Sequence, residues 1–264
     1  RVTLPGLLRR LLPAAAGLCC ALLLTGCWDD AEINGRPFVL GFGRDAAREK
    51  GNYSFTFELA IPVSGESDSS GAIRYTLRAL TAETPGQAIH ALEKDLGRQI
   101  NFEQLNLILI GEALSREGFA PLTDYFFNRA SVRRQSCVAV CEGDAGDFFA
   151  ACSGQRAVST IAAIALQSFG DDGGGKSVSM NLHSLFKTVS NGLPFLLLRL
   201  SPVGGEEAFV AISGGAVFGG KGNPAGTVTP DELEIIRLMY GCGHEGVLIL
   251  GAENPAGFRV GGHA

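Results

Sequence analysis

The stretch Tyr53-Ser54-Phe55-Thr56-Phe57-Glu58-Leu59-Ala60-Ile61 decides the class of fold. Tyr53, Phe55, Phe57, Leu59 and Ile61 fall on one side of a period of two, and Ser54, Thr56 and Glu58 on the other. A strand sends successive side chains to opposite faces, so this spacing predicts a half-buried β-strand. A polar turn, Ser64–Gly71, follows. Beyond it Ile73, Tyr75 and Leu77 alternate with Arg74, Thr76 and Arg78 over Ile73–Leu80. Two alternating runs joined by a short polar loop predict a hairpin, and alternation predicts antiparallel pairing with one solvated face.

Working outward, Pro37–Gly43 reads as a buried strand. On the other side Thr84-Pro85-Gly86-Gln87 carries helix-start grammar: a Thr cap, Pro at the first helical position and Gln three residues after the cap. Ala88, Ile89, Ala91, Leu92 and Leu96 supply the apolar face, and Gly97 ends the helix. Further strands are expected at Leu105–Gly111, Cys137–Cys141, Phe209–Phe218 and Gly246–Gly251. Further helices are expected at Glu112–Glu117, Pro121–Ala130, Asp144–Ala151, Val158–Phe169 and Asn181–Ser190, and from a second capped start, Thr229-Pro230-Asp231-Glu232. Gly170–Ser179 has linker composition. Helices mixed with alternating strands make the expected class α+β, with mixed or antiparallel sheets.

Composition narrows function. The 264 residues are 46% hydrophobic and 19% charged, which excludes a disordered chain. The net charge is −5 and the pI about 5.4, which excludes nucleic-acid binding of the ordinary basic kind. Residues 1–26 hold Arg1, Arg9 and Arg10, no acid, and an apolar run from Leu11 to Leu24, the make-up of a secretory signal peptide. The run is too short for a comfortable membrane span, which takes about 20 apolar residues. Without it 19 basic and 27 acidic residues remain, a net charge of −8. Leu193–Leu200 is the longest other apolar run, and Pro194 and Arg199 interrupt it.

The leader ends in Leu24-Thr25-Gly26-Cys27, the lipobox pattern of an apolar residue, two small ones and Cys. Cys27 is therefore the expected lipid-attachment residue, with acyl chains such as palmitate holding the chain to a membrane. Cys137, Cys141, Cys152 and Cys242 remain beyond it. Four residues of strand span about 13 Å, and disulfide Cα atoms lie within about 7 Å. Cys137 and Cys141 therefore cannot pair across an extended segment, and buried free thiols are expected. With no C-x-x-C and no His near these cysteines at metal spacing, no metal site is expected.

Gly170–Ser177 (GDDGGGKS) fits the phosphate-loop pattern, with Lys176 as its cation. Two aspartates stand where phosphate would lie, and the preceding segment reads as helix where the motif requires a strand, so a nucleotide hydrolase is a remote alternative. Gly41-Phe42-Gly43 resembles part of a dinucleotide fingerprint, but a polar loop and strand follow where a helix is needed. His90, His183, His244 and His263 lack a nucleophile elbow, and no carboxylate pair stands out. No catalytic residue and no cofactor is expected.

After the lipobox runs Cys27-Trp28-Asp29-Asp30-Ala31-Glu32-Ile33-Asn34, which resembles the C-W-D-x-x-E-I start of the mature Ger(x)C family. Leu107–Gly118 (LILIGEALSREG) and Pro121–Arg134 (PLTDYFFNRASVRR) resemble that family's middle block, and Gly214–Phe218 with Glu232 and Glu234 its C-terminal opening. Asp30 departs from the family's usual basic residue, and Gly219-Gly220-Lys221 from its Lys-rich turn. The resemblance implies a non-enzymatic lipoprotein, the C subunit of a nutrient germinant receptor in spore germination. It would sit on the outer face of the spore inner membrane with membrane-embedded A and B subunits. Arg129, Arg133 and Arg134 are candidates for protein contact. The implied organisation is a signal peptide over 1–26, an N-terminal germination domain over 27–200 and the start of a truncated C-terminal domain over 201–264. A solute-binding lipoprotein is the other alternative; it requires two α/β lobes around a cleft.

Overall fold

The computed structural model describes residues 36–47, 49–62, 73–118, 125–126, 132–152, 157–170, 178–203, 209–240, 245–250 and 256–261. Among these the strands are β1 (Phe38–Ala46), β2 (Tyr53–Pro62), β3 (Ile73–Ala82), β4 (Leu107–Ile110), β5 (Cys137–Cys141), β6 (Met180–Asn181), β7 (Phe195–Val203), β8 (Phe209–Phe218), β9 (Pro224–Val228), β10 (Glu245–Leu250) and β11 (Ala256–Gly261). The helices are α1 (Pro85–Leu96), α2 (Glu112–Glu117), α3 (Ala145–Ala151), α4 (Val158–Gly170), α5 (Leu182–Ser190) and α6 (Pro230–Tyr240).

One sheet runs in the order β3-β2-β1-β4-β5-β7-β8-β9, with β6 beside β5. The expected β2–β3 hairpin is present and antiparallel, with Tyr53 opposite Ala82 and Pro62 opposite Ile73. β1 pairs antiparallel with β2, and β7, β8 and β9 are antiparallel in turn. The centre differs: β1, β4, β5 and β7 run parallel. The composition of β4 (LILI) and β5 (CVAVC) explains this, since every residue of both is buried. Parallel strands are covered on both faces and read as continuous apolar runs. The class is α+β, with a mixed sheet. Among the described residues the sheet is continuous from β3 to β9, and the two lobes of a solute-binding protein are not formed.

Two apolar layers sandwich the sheet. One face carries Phe42, Phe55, Phe57, Ile108, Ile110, Val138, Val140, Phe195 and Leu197, packed with Ile89 and Leu92 of α1, Phe126 and Leu185 of α5. Phe42 is its hub, 5.4 Å from Phe57 and 4.8 Å from Phe126 in edge-on contacts. Each such buried aromatic contributes about 1.5–3 kcal/mol of burial. The other face carries Leu107, Leu109, Cys137, Ala139, Cys141, Leu198 and Leu200, packed with Phe148 and Phe149 of α3, Val158, Ala162 and Leu166 of α4, and Leu233 of α6.

This second layer corrects one expectation. The polar side of β2 was predicted to face solvent, yet Thr56 and Glu58 are buried beneath α3 and α4. Gly41 and Gly43 make that cover possible: a Cβ on Gly41 would lie 2.7 Å from Phe149 Cε1, and one on Gly43 3.0 Å from Ala145 Cβ. The glycines that mimic a dinucleotide fingerprint are thus where α3 seats on the sheet.

The helix starts follow their sequence grammar with one shift. Thr84 Oγ1 accepts from Gln87 N (3.3 Å), but Gln87 Oε1 accepts from Glu83 N, one residue before the cap. At α6 the reciprocal box closes: Glu232 N donates to Thr229 Oγ1, and Thr229 N to Glu232 Oε2 at 2.8 Å. These bonds hold the Glu232 carboxyl below its ordinary range. β7 was expected only as an apolar run; it is a strand through Val203, so the expected 200/201 boundary falls inside it. β9 and β11 sit in Gly- and Pro-rich sequence that carried no strand signal. Of the expected Pro121–Ala130 helix, 125–126 are helical and the rest lies outside the described residues, as does 171–177 of the Gly170–Ser179 linker.

Candidate functional site: the carboxyl edge of the parallel strands

Side chains projecting where β1, β4, β5 and β7 end converge on one edge of the sheet, the edge where open α/β sheets place ligands. Asp45 stands near the end of β1, Glu112 just after β4, Glu142 and Asp144 just after β5, and Arg199 on β7.

Asp45 is 2% exposed. Its Oδ1 accepts from Ala145 N (2.7 Å) and its Oδ2 from Gly146 N (3.1 Å), so a carboxylate a hundred residues upstream caps α3. The free amides of a helix start favour negative charge there. Burial nevertheless dominates, and it pushes the Asp45 carboxyl up to about 6. The two amide bonds lower it, and nearby Asp144 and Asp147 add to the rise. Gly111 leaves room for this carboxylate: a Cβ there would fall 2.1 Å from Asp45 Oδ1.

Glu58 repeats the device one strand over. Its Oε1 accepts from Val158 N (2.5 Å) and its Oε2 from Ser159 N (3.0 Å), capping α4. Burial moves its carboxyl upward too, against those bonds. Alternation put Glu58 on the side of β2 away from the aromatic core, while Asp45 lies beyond the run read as a buried strand. Their partners lie a hundred residues off, beyond the reach of local grammar.

Next to Asp45 a small ion network closes the edge. Arg199 Nη2 lies 3.0 Å from Glu142 Oε1, and its Nη1 3.7 Å from Glu112 Oε1. Glu112 also pairs with Arg116 at 2.7 Å, and its backbone N donates to Gly143 O. Between β2, β3 and α3 opens a cavity of about 380 Å³, lined by Asp45, Ser54, Thr56, Leu77, Ala79, Asp144, Gly146, Asp147 and Ala150 among others. On the opposite face Arg44 is buried with its guanidinium carbon 3.7 Å above the Tyr53 ring; burial lowers its pKa.

The residues singled out in the sequence fall elsewhere. Arg133 and Arg134 are exposed at the amino ends of β4 and β5, where Arg133 Nη1 donates to Asn106 Oδ1 at 3.2 Å. Cys137, Cys141 and Cys152 are free buried thiols, and burial raises the pKa of each. His90 and His183 are exposed on α1 and α5. The segment before the phosphate-loop pattern is helical, as α4, where that motif needs a strand. Cys27, Arg129, Lys176, Cys242, His244 and His263 lie outside the described residues.

A family of this class is defined independently by sequence. The family model described as the spore germination protein N-terminal domain matches residues 29–196. The chain belongs to this Ger(x)C family of spore germination proteins. Among curated relatives, all from Bacillus subtilis (strain 168), the putative spore germination protein YfkR is 28% identical over 135 residues, 50% of this chain. Spore germination protein B3 is 26% identical over 132 residues, 48% of this chain, and spore germination protein A3 28% over 138 residues, 49% of this chain. The matched stretch spans about a third of each relative: 35%, 34% and 35% respectively. No solved structure matches the chain.

Proposed function

We propose that this chain is the non-enzymatic, lipid-anchored subunit of a spore nutrient germinant receptor. It acts through contacts with membrane-embedded A and B subunits on the outer face of the spore inner membrane. The observation that carries this reading is the juncture at Cys27. The lipobox Leu24-Thr25-Gly26-Cys27 ends two residues before the family match begins at Asp29. A diacylglycerol thioether on Cys27, with a further acyl chain, would hold the domain at about 0.8 kcal/mol per buried methylene, and two chains make such an anchor stable. Among the described residues no helix is long and apolar enough to cross a membrane. The exposed Arg133 and Arg134 supply positive charge for a protein contact.

Co-purification from spore membranes tests the assembly. The expected result is recovery of multi-span proteins with the intact chain, together with loss of nutrient-triggered germination when the gene is deleted. Recovery of the chain alone, with germination unchanged in the deletion, would refute the receptor assignment.

A further inference from the structure

The cavity between β2, β3 and α3 holds a group that the fold itself leaves unused. Thr56 is 2% exposed, it lines the cavity, and its Oγ1 has no hydrogen-bond partner. A buried hydroxyl without a partner is destabilising, so its retention there points to an external partner. Asp45 lies on the same wall; its two oxygens each accept one amide and keep further acceptor capacity. Asp144 and Asp147 stand exposed nearby on the first turn of α3 and the residue before it. No cation pairs with any of these three aspartates among the described residues.

The space in front of these groups exists because residue 146 is glycine. A Cβ on Gly146 would lie 3.0 Å from Thr56 Oγ1 and 3.7 Å from Asp45 Oδ2. Apart from Ser54, the remaining lining is aliphatic: Ala46, Leu77, Ala79 and Ala150. No three His, Cys, Asp or Glu side chains among the described residues are grouped to hold a metal ion. Acceptors at the bottom, negative charge around them and aliphatic walls match a compact cationic donor on an apolar stem, since an ammonium offers three N–H donors and no acceptor.

We propose that this cavity binds a primary ammonium group on a short aliphatic stem, with Asp45 and Thr56 accepting its N–H donors and Asp144 and Asp147 adding field. The inference stands independently of the receptor assignment. The ammonium could belong to a free amine or to a lysine side chain of a bound protein. Binding requires ionised Asp45, so it weakens as pH falls through 6. The groups acting on Asp45 are Asp144 and Asp147 at the start of α3 and the Cys141 thiol from β5, all acidic; the neighbouring cation, Arg199, is engaged by Glu142 and Glu112.

The test follows the Ala145 and Gly146 amide resonances of the intact chain during titration with n-butylammonium. Parallel titrations use n-butanol, sodium chloride, and Nα-acetyl-lysine methylamide. The expected result is saturable shifts with n-butylammonium at pH 7.5, at least tenfold weaker at pH 5 and absent with butanol or salt. Gly146→Ala, which fills the space with a residue favoured in helices, should abolish the shifts. Thr56→Val, which keeps the shape and deletes the hydroxyl, should weaken binding at least fivefold. Saturation by the blocked lysine as well assigns the site to a protein-borne lysine; its exclusion assigns the site to a free amine. No saturable shift with either amine, equal response to butanol or salt, or undiminished binding by Gly146→Ala overturns the proposal.

Discussion

Asp45→Asn should flatten the stability of this domain between pH 4 and pH 7. Asp45 is almost fully buried, and its carboxyl sits at about 6 against the ordinary 3.8. A folded-state value above the unfolded one means the native protein holds the proton more tightly. That contribution is full below pH 3.8 and is lost as pH rises through 6. The gap corresponds to about 3 kcal/mol, an upper figure because partial solvation of the edge would trim it. Asn retains an acceptor for one of the two α3 amides and cannot ionise, so its cost is a constant offset that cancels in the comparison. Urea unfolding of both proteins at half-unit steps from pH 4 to pH 7.5 measures this directly. Wild type should lose about 2–3 kcal/mol relative to the variant across the window. Parallel curves, or a wild type that gains on the variant as pH rises, would refute the account of Asp45 as a desolvated cap.

Other consequences follow from the same geometry. Glu58→Ala strips the acceptors from Val158 N and Ser159 N and should cost about 1–3 kcal/mol by denaturant midpoint, since the α4 amides stay buried; a change under 0.5 would contradict the capping role. Gly41→Ala drives a methyl to 2.7 Å from the Phe149 ring and should cost about 1–3 kcal/mol through displacement of α3. Cys137 and Cys141 should resist iodoacetamide in the native protein at pH 8 and react fully in urea, because burial keeps both thiols protonated; rapid native labelling would contradict the buried strand.

Periodicity carried much of this architecture. The apolar side of β2 packs in the core, as do Ala88, Ile89 and Leu92 of the expected α1 face with Leu96 at its edge, whereas Ala91 of that face is exposed. The start of α6 is capped by Thr229 and Glu232. Two things were illegible for physical reasons. Strand direction in the centre depends on crossovers through helices, and no local pattern in LILI or CVAVC reports which neighbour each strand will join. The polar residues of β2 looked like a solvated face because the compensation for Glu58 comes from helix amides a hundred positions away. Thr56 and Glu58 were therefore visible as facing away from the aromatic core, and they and Asp45 were invisible as the lining and supports of an acidic edge. The Gly41 and Gly43 pair shows the same limit: the following loop and strand ruled out a dinucleotide fingerprint, and nothing local showed that their role is to admit the Phe149 ring.

Under the proposed function, acylation of Cys27 holds this domain at the membrane. Fractionation of spores carrying Cys27→Ala, with the chain tracked by immunoblot, tests it most directly. The variant should leave the inner-membrane fraction and appear in the soluble one, while the wild-type chain stays with the membrane. A Cys27→Ala chain that still partitions with the membrane would contradict the claim.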